Sequence, residues 1–329
     1  MHSRLAVMAL AMGLFTGCYL GPGDRGGVMV DGWEGEGEMW APELQYEGRG
    51  VDHISGTEVW WDGGEIVSPN GEWIAVDTGA GTCDFDIDLG YMTIDTYFDA
   101  NDTEPEDHDG NGGVIVSTAR RVILGDVGEY EGQEQNVVLP GTVLDARYMS
   151  GDFVATWRAG DECGLRWHDG TDRPLGSSFC AGGELVVDNA NDVVWIPSAD
   201  GVMRVDRFAT TVFPVTADEV AWDATNGVLY AIDGNTLTAY TPTEYSLDTQ
   251  WTKSFDNTVR DFGGSSAGFA AVLLSTPDGS EVFALDGANG DELASMTTWQ
   301  TLNRLHVAAD ATTFAVRGIG AVHMFRVVE

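Results

Sequence analysis

From about residue 64 to its end, the chain alternates short apolar runs with turns of Gly, Asp and Asn. The runs are four to seven residues long and rich in β-branched and aromatic side chains. That composition and length read as strands, since a helix needs apolar positions at 3.6-residue spacing over a dozen places. One run recurs: EWIAV (with Trp73), GVIVS (Val114), DFVAT (Phe153), VVWIP (Trp195), VLYAI (Tyr230), GFAAV (Phe269) and TFAVR (Phe314). Successive marks lie 41, 39, 42, 35, 39 and 45 residues apart.

Four short strands in each unit of about 40 residues is the arithmetic of a β-propeller. One unit shows the order. Glu219–Asp223 is an inner strand, Leu229–Asp233 the second, Thr236–Thr241 the third and Asp248–Lys253 the outer one, with turns between them. The predicted fold is therefore all-β, a seven-bladed propeller. Six or eight blades stay open, because the second unit (about 90–140) is irregular. The last unit has three strands and then ends, which would leave a bare sheet edge. The run TEVWW (Thr57–Trp61) lies just before the first inner strand, GEIVS (Gly64–Ser68). It is expected to complete the last blade and close the ring.

SPNGEWIAV (Ser68–Val76) resembles the repeat signature of TolB-like and WD-repeat propellers. VFALDGANGDELAS (Val282–Ser295) and LYAIDGNTLTAY (Leu229–Tyr240) are similar to the repeat of pyrroloquinoline-quinone-type propellers. The resemblance implies the fold over nearly all of residues 56–329. It does not imply the quinone, whose binding residues are not found. The functional analogy it suggests is a BamB-like outer-membrane lipoprotein that helps assemble other proteins, which rests on fold alone.

The N-terminus carries an address. Arg4 precedes an apolar run of 11 residues, Leu5–Phe15, too short to span a bilayer but suited to a signal peptide. Thr16, Gly17 and Cys18 follow. Small residues before a cysteine at this place resemble the lipobox of bacterial lipoproteins, although Phe15 stands where that family usually has Leu. The resemblance implies cleavage after residue 17, lipid on Cys18 and stable membrane anchoring. Tyr19, where an Asp would signal inner-membrane retention, implies the outer membrane, with a periplasmic or surface-facing domain. Residues 18–55 are Gly-rich and acidic without periodicity, and read as a flexible tether that carries Trp33 and Trp40.

The net charge is −37, with a single lysine, Lys253. Such a surface repels nucleic acid and attracts cations or basic proteins; a plain solubilising coat is the structural alternative. Besides Cys18 the chain has Cys83, Cys163 and Cys180. Cys163 and Cys180 are expected on adjacent strands and to form a disulfide, with Cys83 free or partly buried. No Cys/His spacing suits zinc.

Chemistry is sparse. Asp107, Asp109 and Asn111 in DHDGNGGVIVS take positions 1, 3 and 5 of a calcium loop, with Thr118 where a bidentate Glu belongs. The other reading is a solvated acidic insertion. His168 beside Asp169 is an isolated acid–base candidate at a turn edge, more plausibly just solvated. No G-x-S-x-G elbow or phosphate-binding glycine motif occurs. Nine tryptophans in or beside strands are expected to pack between blades. The favoured function is a binding or scaffold module that takes a protein or other ligand at an axial face. The alternatives are a hydrolase or lyase with an axial metal, marked by carboxylates and a His of perturbed pKa around the channel, and a structural envelope protein without small ligand.

Overall fold

The computed structural model describes residues 51–53, 65–77, 82–86, 93–98, 104–108, 113–126, 135–150, 152–181, 184–198, 200–318 and 322–327. Seven antiparallel sheets of four strands make up the architecture. The first sheet holds β2 (Glu65–Val67), β3 (Trp73–Asp77), β4 (Thr82–Asp86) and β5 (Thr93–Phe98). The second holds β6 (Glu104–His108), β7 (Gly113–Thr118), β8 (Arg121–Asp126) and β9 (Gln135–Val138). The third holds β10 (Thr142–Met149), β11 (Asp152–Ala159), β12 (Glu162–Trp167) and β13 (Asp172–Pro174). The fourth holds β14 (Val186–Asp188), β15 (Val193–Ser198), β16 (Gly201–Val205) and β17 (Thr210–Phe213).

The fifth sheet holds β18 (Glu219–Asp223), β19 (Val228–Asp233), β20 (Thr236–Pro242) and β21 (Leu247–Ser254), within one residue of the strands read from sequence. The sixth holds β22 (Thr258–Ser265), β23 (Phe269–Thr276), β24 (Gly279–Asp286) and β25 (Glu292–Thr298). The seventh holds β26 (Arg304–Val307), β27 (Thr313–Arg317) and β28 (Val322–Val327), with β1 (Val51–His53) on its outer edge. The first strands of successive sheets contact one another in turn, and β26 contacts β2. This is a seven-bladed β-propeller.

The edge of the last blade is covered from the N-terminus, but by a different strand from the one expected. Val51 pairs with Val327 and His53 with Phe325. Three residues with one strong β-former carry little strand signal, so TEVWW attracted the sequence reading. Thr57–Trp61 lies outside the described residues. The folded unit accordingly takes in residue 51, upstream of the boundary set at 56.

The core lies between blades. Trp195, Leu229 and Val220 pack together across the fourth and fifth sheets. Tyr230, Val272 and Leu285 do so across the fifth and sixth. Phe269, Phe314 and Phe325 fill the space between the sixth and seventh. Trp195 stacks on Trp222 at 5.9 Å, as expected of tryptophans that glue blades. Each strand pair is small and cannot bury its own faces, so stability accrues only when neighbours stack.

Antiparallel order gives the ring two unlike faces. Turns between first and second strands, and between third and fourth, emerge on one face, here the turn face. Turns between second and third strands, and the links between blades, emerge on the other, the link face. On the turn face the blades are stitched by hydrogen bonds. Ser150 N–H donates to Asn189 Oδ1 (2.9 Å), Ala224 N–H to Ser266 Oγ (2.9 Å) and Ser266 N–H to the Ala309 carbonyl (2.6 Å). Asp310 N–H donates to the Pro69 carbonyl (2.8 Å), which joins the seventh blade to the first.

Cys163 and Cys180 form a disulfide with their Cα atoms 5.4 Å apart. Cys180 does not lie on an adjacent strand, as expected, but on a short 3-10 helix (Ser177–Ala181) linking the third and fourth sheets. Phe179 of that helix is buried with Leu165, Trp167, Val194 and Ile196. The run around Cys180 was too polar to make a strand, and it serves instead as a wedge between blades.

Candidate functional site

The ring's axis is lined by first strands, and three of them share a local irregularity. Register shifts fall between Pro105 and Asp107, Val143 and Asp145, and Val259 and Asp261. A bulge re-aims the side chain beside it. Each of these bulges is followed by an aspartate, and each aspartate reaches the next blade. Asp107 Oδ2 accepts from Tyr148 N–H (2.6 Å), Asp145 Oδ2 from Leu185 N–H (2.6 Å) and Asp261 Oδ2 from Leu305 N–H (2.8 Å). These carboxylates therefore brace neighbouring blades.

A cavity of about 700 Å³ runs along the axis. Every blade contributes to it: Val67, Asp107, Arg147, Glu184, Val220, Phe262 and His306 are on its wall. The wall is apolar along the strands, around Val220, Ala221, Trp222 and Phe262, and is rimmed on the turn face by Ser150, Asn189, Ser266 and Asp310. It is charged towards the link face, where the first strands begin. There Arg147 sits 3.3 Å from Asp145 Oδ1 and 3.0 Å from Glu184 Oε2, and donates to the Glu106 carbonyl. Arg304 lies 3.5 Å from Glu184 Oε1.

The protonation states follow from this layout. Arg147 above all, with His306 and Arg304, holds the Glu184 carboxyl below its usual range. Burial pushes Asp145 well up despite Arg147, with Glu106 and Glu184 adding to the rise. Burial also raises Asp261, against the Leu305 N–H and His306. Glu219 is pushed up to about 8 by burial first, then by the charge of Asp261 and of Glu184. Glu219 makes no ion pair among the described residues.

No protein-family model matches the chain, and no curated protein matches it. Solved structures do. The Cps50 (Swd1) β-propeller domain of Myceliophteria thermophila superposes with a TM-score of 0.64 at 11% identity, covering 81% of this chain and 97% of that one. Hsv2 of Kluyvelomyces marxianus gives 0.60 at 10% identity, over 80% and 91%. A chain of a mitotic checkpoint complex gives 0.62 at 12% identity, over 91% and 97%. The fold is a β-propeller. At such identities the likeness speaks for the fold and for no activity.

The propeller unites some expected site residues and not others. Asp107 is on β6 with its carboxylate engaged by Tyr148; Asp109, Asn111 and Cys18 lie outside the described residues. No group of three or more His, Cys, Asp or Glu is placed to hold a metal among the described residues. His168 stands on an exposed turn, 3.0 Å from Asp152 Oδ2 and far in the fold from the axis. Sequence reading missed the axial set of Asp145, Arg147, Glu184, Glu219, Asp261, Arg304 and His306. A usable signal was present: the hydrophobic-x-Asp of VLD (Val143–Asp145) and VRD (Val259–Asp261) at the start of an inner strand.

Proposed function

We propose that the protein is an outer-membrane lipoprotein, anchored through Cys18, whose propeller is a scaffold for a basic protein segment at the link-face mouth of its channel. One observation carries the reading: Glu184, on the cavity wall with Arg147 and His306, lies within electrostatic reach of Glu219, Asp145 and Asp261, while Arg147 and Arg304 are both engaged by Glu184. An incoming Lys or Arg would meet the raised carboxyl of Glu219 and favour its charged form, with the neighbouring charge of Asp261 adding to the attraction. The net charge of −37 supports a basic partner over nucleic acid. The Cys163–Cys180 disulfide fits an exported protein, since such bonds persist in oxidising compartments.

Affinity capture from detergent-solubilised envelope, wild type against Glu219→Gln/Asp261→Asn, tests the mouth. Salt-sensitive capture lost in the variant is expected; an unchanged set of captured proteins refutes the reading. Fractionation of Cys18→Ser tests the address, and its release from the membrane fraction is expected. A catalytic reading draws on Glu219, whose value of about 8 suits proton transfer near neutral pH. It is the weaker one, because Asp107, Asp145 and Asp261 each accept a neighbouring blade's N–H and leave Glu219 without a free second acid.

A further inference from the structure

We propose that the turn face of the fourth and fifth blades rests on a lipid bilayer through Phe208 and Tyr245, which holds the charged mouth away from the membrane. Phe208 is 91% exposed and Tyr245 82%. Both stand at the tips of tight turns, where polar residues are the rule. Both turns join a third strand to a fourth, β16 to β17 and β20 to β21. They are therefore equivalent positions on adjacent blades, and both point from the turn face.

Neither tip is a loose end. Asp206 Oδ1 accepts from Phe208 N–H (2.7 Å) and Ala209 N–H (2.6 Å), and Asp206 N–H donates to the Ala209 carbonyl (3.0 Å). Thr243 N–H donates to the Ser246 carbonyl (2.8 Å), and Thr243 Oγ1 accepts from Tyr245 N–H (3.3 Å). The turns thus present their rings with the backbone already fixed. Arg207, beside Phe208, pairs with Asp169 across the blade boundary, so local charge at that tip is balanced. A zwitterionic surface suits such a patch, whereas anionic headgroups would meet the acidic body.

The occupant is argued from where the chain leaves the propeller. β1 runs antiparallel to β28, and Val51 pairs with Val327 at the end of that third strand. Val51 is therefore on the turn face too. On the lipoprotein reading, on which this inference rests, residues 18–50 connect that point to the lipid. Thirty-three residues span at most about 110 Å, enough to reach the membrane from any orientation but shortest with the turn face towards it. The fourth blade lies across the ring from the seventh, and the fifth is two blades away from it. Anchor and aromatic tips together would hold the disc at two separated places.

Full-length lipidated protein in phosphatidylcholine vesicles doped with a photoactivatable phosphatidylcholine tests this, with adducts mapped by mass spectrometry. Adducts are expected on peptides holding Phe208 and Tyr245. They should exceed severalfold those on the peptide with Trp299, which is 61% exposed but follows β25 on the link face. Phe208→Ser/Tyr245→Ser should stay on the vesicles through Cys18 and lose these adducts. Vesicle-bound protein without tip adducts, or with equal labelling of Trp299, overturns the inference alone. Failure of the wild type to stay on vesicles, matched by Cys18→Ser, overturns the lipid anchor and this inference with it.

Discussion

Glu219→Gln should stabilise the propeller at alkaline pH and do little at acid pH. The carboxyl titrates near 8 in the fold against 4.5 in a free chain. A raised carboxylate means that the folded state binds the proton more tightly. Its contribution is fully present below 4.5 and is lost as pH rises through about 8. At about 1.36 kcal/mol per unit the full gap is worth at most about 5 kcal/mol. Glu219 is only half-buried, and solvent screening reduces this to about 2–4 kcal/mol. Glutamine keeps the volume and removes the ionisation. Urea unfolding at pH 5 and pH 9 should therefore show a variant-minus-wild-type difference that grows by that amount. Asp261→Asn removes the nearest raising charge and should shrink the gain, which a double-mutant cycle reads directly. A difference that stays flat between the two pH values refutes the layout of the mouth.

Other consequences follow from geometry away from Glu219. Cys163→Ala/Cys180→Ala opens a loop closed over a separation of 17 residues and should cost about 3 kcal/mol by denaturation, with wild type shifting equally under reductant. Asp107→Ala leaves Tyr148 N–H without its acceptor and should cost about 1–3 kcal/mol. That loss should be the same in calcium and in chelator if Asp107 braces blades; a loss seen only in calcium would make it a ligand. Gly264→Ala places a Cβ 2.5 Å from Tyr230 Cδ2, a ring that is fully buried, and should lower stability by about 1–3 kcal/mol.

The repeat was legible because the second strands of the third to seventh blades are buried along most of their length. Runs such as VVWIP (β15, buried at every position) and VLYAI have no polar place, so they mark the period even where turns vary. Partial burial hid the rest. β1 is three residues at a sheet edge with one apolar residue, Val51, and that is too little to distinguish it from linker. The 3-10 wedge at Ser177–Ala181 is five residues with only two larger apolar side chains, Phe179 and Cys180, and its role depends on two blades meeting around it. The axial carboxylates were harder still. Asp145 and Arg147 are ordinary alternating strand residues until seven first strands converge and remove the water between them.

That convergence also separates the axial acids by task. A bulge in β6, β10 and β22 turns one aspartate sideways, and an N–H of the adjoining blade waits in each case. Such acids hold the ring's shape and are poorly available to a ligand, because leaving the N–H unpaired costs about as much as a new contact returns. Glu184 is held between Arg147 and Arg304, so its charge is already answered. Glu219, on the fifth blade, makes no ion pair among the described residues, and burial, with the charge of Asp261 second, raises its carboxyl to about 8. A cation arriving at this mouth gains most from Glu219 and disturbs the bracing least there. The residue that distinguishes a binding mouth from a mere structural ring is therefore Glu219, an axial acid whose carboxylate is committed to no ion pair among the described residues.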